Sequence, residues 1–235
     1  MKSKIHKLRK KNNVSKHIIT TLVFVSILMS CNTTDKTKTE TEETVTAEPT
    51  VNETNKNLKP IDSDQALIAT ALMAAPKASR VGCKVIGYNM AGEFVTLREG
   101  NNEFIVLVDD PKKEGFNAAC YHKDLEPFMA RGRALKAEGK KHKEIFDIRE
   151  EEVKSGKLKI PTGATLHIYF GKNTLYDPET AIVDEARLRY VVYMPYATAA
   201  STGLPEVPQA SNHPWIMNPG THRAHIMISP LPDDN

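Results

Sequence analysis

Two cysteines and a handful of histidines are the side chains of this chain best suited to chemistry. Cys120-Tyr121-His122 places a thiol beside an imidazole, with Glu126 four residues further on. If a helix starts just after Cys120, its N-terminal dipole lowers the thiol pKa and favours the thiolate. Cys120 with His122 would then form a nucleophile and its base, with Glu126 as a third member. The competing reading pairs Cys120 with Cys83. That disulfide would close a loop of about 38 residues, worth roughly 3.5–4 kcal/mol in the chain-entropy model. The two readings exclude each other in the resting state.

Histidine also offers metal chemistry. His222-Arg-Ala-His225 has the spacing of two ligands on a helix. However, Pro219-Gly220 precedes it and Ile226 alternates with Ile228 after it. This predicts a loop at His222 and a strand at His225, and residues three apart on a strand face opposite ways. A metal shared by His222 and His225 therefore needs a bend. Arg187 and Arg189 fall on one strand face with Tyr193, as an anion site or as a solvated rim. The chain contains no His-Glu-x-x-His, paired Cys-x-x-Cys, EF-hand loop, Gly-x-Ser-x-Gly elbow or phosphate-cradling glycine loop. No cofactor is implied.

These residues must be held by a domain that starts well into the chain. Residues 1–17 carry seven Lys and Arg and no acid, and an apolar run from Ile18 to Met29 follows. A basic stretch, a short apolar run and a small residue at the cut describe a secretory signal peptide over residues 1–30. About a dozen apolar residues are too few for a permanent span, which needs roughly 20. Leu28-Met29-Ser30-Cys31 resembles the lipobox of bacterial lipoproteins. That resemblance implies cleavage before Cys31 and its acylation by fatty chains such as palmitate. Asn32, rather than Asp, follows the lipidated residue, which by resemblance to lipoprotein sorting signals leans toward the outer membrane. Cleavage changes the charge balance. The chain has 32 basic and 29 acidic residues, and the mature part keeps 25 and 29, a net of −4. The charge argument for a nucleic-acid partner disappears with the leader.

Residues 31–61 are rich in Thr, Glu, Lys and Asn and read as a disordered tether. Residues 62–235 suit one domain with a single core. Asp62 or Ser63 caps a helix running through Ala66 to Met73 and stopped by Pro76. Three β-rich runs at 83–88, 93–98 and 103–108, with tight Gly/Asn turns between them, read as an antiparallel meander. Asp124 is the expected N-cap of a helix with Pro127 in its first turn and Leu125, Phe128, Met129 and Leu135 on one face. Residues 141–156 fit either a charged helix or a strand at Ile145 to Ile148. Strands are expected at 165–170, 188–194 and 224–229. The long loop from Tyr196 to Thr221, which holds the only Trp, should be ordered and packed on the sheet. The expected fold is α+β: an antiparallel sheet, made of the N-terminal meander and the C-terminal strands, with helices packed mainly on one side.

The run from Cys120 to Arg133, together with Val95 to Gly100, Pro219-Gly220-Thr221 and Ala224 to Met227, is similar to segments of a family of uncharacterised secreted bacterial proteins. The similarity covers most of residues 64–230 and implies no activity. It implies that these segments meet at one surface, which makes His122, Glu126, Arg131, His222 and His225 the first residues to test.

Two functions follow as expectations. The first is a lipid-anchored cell-envelope protein that acts as a binding or interaction module for a protein or small-molecule ligand, and is held to the membrane through Cys31. The second is an extracytoplasmic enzyme, metal-dependent in one version, built on His122, Glu126 and His225. The two part on whether those side chains converge.

Overall fold

The computed structural model describes residues 57–230. The basic leader, Cys31 and the tether up to residue 56 lie outside the described residues, as do residues 231–235. Part of the stretch read above as tether is structured. Lys59–Pro60 forms a two-residue strand, β1, and Ile61 packs on the core.

A short helix, α1 (Asp64–Ala71), comes next. Ser63 caps it by accepting a hydrogen bond from the Ala66 N–H at 3.2 Å. The chain then tightens into 3₁₀ turns at Leu72–Ala74 and Lys77–Gly82. Strands β2 (Lys84–Tyr88), β3 (Phe94–Arg98), β4 (Phe104–Leu107) and β5 (Phe116–His122) follow. Helices α2 (Glu126–Ala137) and α3 (His142–Lys154) come after them. The second half holds β6 (Thr165–Gly171), β7 (Leu175–Tyr176), β8 (Arg187–Tyr193), a one-turn α4 (Ala199–Thr202), β9 (Trp215–Met217) and β10 (His225–Ile228).

Eight strands form one sheet in the order β3-β2-β4-β5-β6-β8-β10-β9. Every neighbouring pair is antiparallel except β2 with β4. The outer pair β1 and β7 forms a separate ribbon. The α+β class and the largely antiparallel sheet are as expected.

The first three runs, however, are not a simple meander. β4 passes across the start of β2 and pairs with its other edge, in parallel. The connecting turn is held by the Gly82 carbonyl, which accepts from the N–H groups of Asn101 and Asn102 at 2.9 and 3.2 Å. Gly100 makes the crossing possible. A Cβ there would lie 2.1 Å from the Lys84 nitrogen.

The helices divide between the two faces. α1 and its 3₁₀ turn cover one face, where Leu67, Ala71 and Ala74 bury Val85, Val106 and Cys120. The longer α2 covers the other, where Phe128 and Leu125 pack over Tyr121, Leu166 and Val191. α3 joins that second layer through Val153, and through Arg149, whose guanidinium lies 4.1 Å from the Phe128 ring. Residues 141–156 are thus resolved as a helix. The long helices sit on one side as expected, and the other side carries the short one.

Two more expectations change. Asp124 does not cap α2. It lies in a 3₁₀ turn whose cap is the His122 ring, which accepts from the Asp124 N–H at 3.3 Å. The loop holding Trp215 ends in an edge strand, β9, paired with β10. Among the described residues no helix is long and apolar enough to cross a membrane.

Candidate functional site

The expected catalytic set does not assemble. Tyr121 and His122 are consecutive on β5, so their side chains leave opposite faces of the sheet. His122 turns toward the α1 side, edge-on to Phe104 at 6.3 Å, with Glu103 and Asp124 at 3.8 and 3.6 Å. Glu126 is drawn to the α2 side. It accepts from the Tyr121 hydroxyl at 2.6 Å and from the Arg133 guanidinium at 2.5 Å, and Arg133 also donates to the Tyr121 oxygen at 3.2 Å. Burial first, and the Glu126 charge second, push the Tyr121 phenol above its ordinary pKa. Arg131 clasps α3 through Glu152 at 2.7 Å and has no part in that network.

The metal pair fares no better. His222 is fully buried, with its ring 4.7 Å from Phe146 and 5.9 Å from Phe128. Its Nδ1 is taken by Glu150 at 2.5 Å, and the same carboxylate oxygen accepts from the His222 backbone N–H at 2.9 Å. Burial lowers the pKa of the ring, against the pull of Glu150. His225 faces Tyr193 on β10 and binds the Arg223 carbonyl through Nδ1 at 2.6 Å. The loop and strand assignments for His222 and His225 are as expected, and each ring uses its Nδ1 for anchoring. Among the described residues no three His, Cys, Asp or Glu side chains converge as a metal ion requires.

Cys83 and Cys120 do come together. Both are buried and both are thiols in this structure. Cys83 donates to the Ser79 carbonyl at 3.1 Å, and Cys83 is near enough to help raise the Cys120 pKa. Cys120 lies in the middle of a buried strand, not at a helix start, and burial pushes its pKa up to about 12. A thiolate nucleophile at Cys120 is therefore disfavoured.

The site that does form is a cleft of about 820 Å³ between α2 and the β2–β5 half of the sheet. Sequence reasoning missed it, because its parts come from five separate segments. Its floor is apolar, from Leu107 and Val108, and its far wall is Ala134 and Ala137 of α2. Tyr88 and Phe94 stand at its mouth, 39% and 43% exposed, in an edge-to-face pair at 5.3 Å. The hairpin that presents them is closed by Asn89, whose side chain accepts from the Glu93 N–H at 2.8 Å. Arg133 reaches out from the Tyr121–Glu126 network to lie 5.4 Å from the Phe94 ring.

The polar side of the cleft follows β4. Asp109 is buried and accepts from the Asn117 N–H at 2.9 Å. Burial raises its pKa to about 6, against the lowering effect of that bond. Asp110 opposes Lys113 at 2.8 Å. Burial pulls Asp110 upward, but Lys113 and the Lys112 N–H outweigh it and hold it below the usual range. The Lys113 ammonium also lowers the pKa of Lys136 on α2. An apolar floor, exposed aromatics and a few charged groups along one wall are what a small-molecule site requires. A carboxyl poised near pH 6 adds a group able to donate or accept a hydrogen bond.

Compared with protein families, curated proteins and solved structures, the chain matches none.

Proposed function

We propose that this protein is a lipid-anchored component of a bacterial cell envelope, acylated at Cys31. Its domain binds a small amphipathic organic molecule in the cleft beside α2. One observation carries the binding reading. Phe94 and Tyr88 stay exposed at the mouth of a cleft of about 820 Å³ whose floor is apolar. Leaving such rings in water forgoes the roughly 25 cal/mol gained per Å² of apolar surface buried, which a ligand recovers. The volume lies within the range of about 300–1,000 Å³ usual for small-molecule sites.

The neutral probe N-phenyl-1-naphthylamine tests the cleft. Its fluorescence should rise on adding the full chain. Ala134→Trp, on an exposed turn of α2, should abolish the rise by filling the cleft. An unchanged signal in that variant, or no signal with the natural chain, refutes the reading. The anchor is tested separately by palmitate labelling in a bacterial host, with the label and the membrane fraction both lost in Cys31→Ser. Density fractionation of the same cells reads the outer-membrane assignment.

Export would bring Cys83 and Cys120 into an oxidising compartment. In our reading they close a disulfide there. The two thiols give two electrons and two protons to the disulfide of an envelope thiol oxidase, which leaves as a dithiol.

A further inference from the structure

The other end of the sheet holds a different kind of hollow. Two depressions, of about 410 and 740 Å³, have Arg189, Ser211 and Ser229 in common among their lining residues. The smaller lies under the loop at 208–213 that leads into β9, and the larger lies over β6 and β8. Arg80 and Arg187 line the larger one. No Asp or Glu lines either. Among the described residues none of the three arginines forms an ion pair with a carboxylate.

Two nitrogens are withdrawn from solvent here without a partner. Arg189 Nε is one, and His213 Nδ1, a donor or acceptor according to its tautomer, is the other. Both residues line the smaller hollow. The Arg189 guanidinium lies 4.6 Å from the centre of the Phe170 ring, a cation–π contact that restrains it before anything binds. Arg80 is committed to the chain itself, its Nε donating to the Ala75 carbonyl at 3.1 Å and its Nη2 to the Met73 carbonyl at 3.4 Å. A buried donor without an acceptor costs about 1–3 kcal/mol. A guanidinium keeps its charge at any physiological pH, so the deficit cannot be relieved by losing a proton. An oxyanion supplies the missing counter-charge, and a guanidinium fork matches a carboxylate or phosphate with two parallel bonds.

The geometry points to a second binding site, for a small organic anion bearing more than one carboxylate or phosphate group. Its charged groups meet Arg189 and Arg187, which leave β8 on the same face as Val191. Its body lies against Trp215 and Met227 in the smaller hollow. This site lies apart from the cleft beside α2 and does not depend on it.

Titration calorimetry on the full chain in neutral detergent tests it with three probes. Citrate represents polycarboxylates, glucose 1,6-bisphosphate represents phosphates, and glucose is the uncharged control. One of the two anions should bind, glucose should not, and affinity should fall as salt rises. Arg189→Gln should weaken binding at least about tenfold, a loss of about 1.4 kcal/mol. Arg187→Gln, at an exposed position that leaves folding intact, should weaken it about threefold or more. Ala134→Trp should leave it unchanged. No heat with either anion overturns the proposal, and so does binding that ignores both arginine substitutions.

Discussion

The two ends of the sheet handle charge in opposite ways. In the cleft beside α2, two cations meet carboxylates: Arg133 has Glu126 at 2.5 Å and Lys113 has Asp110 at 2.8 Å. In the groove along β8, Arg187 and Arg189 stand with no carboxylate along the walls. A charge that is already paired supports the frame and leaves selectivity to shape and apolar surface. A charge without a partner leaves an opening that only a ligand of opposite sign fills. The same sheet thus offers one site that selects by shape and another that selects by charge.

The largest expected effect tests whether the two ends stand apart. Phe128→Ala removes the ring that seats α2 on the sheet, and should cost about 3–5 kcal/mol in urea unfolding. It should spoil the cleft and spare anion binding at the groove. Loss of both would show that the two ends are one unit.

The cysteine pair comes next. After denaturing alkylation without reductant, the exported protein should take up no label at Cys83 or Cys120. Reduction should then lower stability by roughly 3.5–4 kcal/mol, for a loop of about 38 residues. Two alkylated thiols would remove the bridge.

Asp109 sets a pH dependence within the cleft. Its pKa is raised to about 6 in the fold from an ordinary 3.8. Its contribution to stability is complete below about pH 4 and is lost as pH rises through about 6. Asp109→Asn keeps an acceptor for the Asn117 N–H and never ionises. The variant should escape that loss and end up to about 3 kcal/mol more stable than the natural chain at pH 8. Equal pH profiles would mean the carboxyl is better solvated than its burial implies.

The smallest effect is the sharpest comparison. Arg133→Gln strips Glu126 and Tyr121 of a shared partner and should cost about 1–2 kcal/mol. Arg189→Gln breaks no ion pair and removes a buried donor without a partner, so it should not destabilise the chain without ligand. Equal losses in thermal melts would abolish the distinction between paired and unpaired charge.

Much of this frame was legible in the sequence. Ser63 and Pro76 bracketed α1, and the spacing of Leu125, Phe128 and Leu135 found α2. β5 was not legible, although it is a central strand. Ala118 and Ala119 have little β propensity, and Cys120 read as a helix start. Burial between β4 and β6 makes the strand, and that packing is a tertiary fact. The Gly100-Asn101-Asn102 turn was visible, but no turn states which edge the next strand will join. His122 and Glu126 misled through closeness in sequence, since β5 sends its neighbours to opposite faces. The cleft draws on five segments and left no local signal. The groove left one, in Arg187 and Arg189 on one face of a strand, but the missing counter-charge around them could be seen only in three dimensions.

The turn at Gly100 has a further consequence for the order of assembly. β3 and β4 flank β2 on either side, and the short link between them passes over its first residues. β2 is therefore the tongue of a clamp. It must enter before the clamp shuts, because threading a strand between two closed neighbours is far slower than letting them close around it. The β2–β3 hairpin, a local contact with little loop entropy to overcome, should form first, and β4 should lock it afterwards. Gly100→Ala should accordingly slow the folding limb of a chevron plot, with the β2–β3 hairpin formed and β4 waiting to dock.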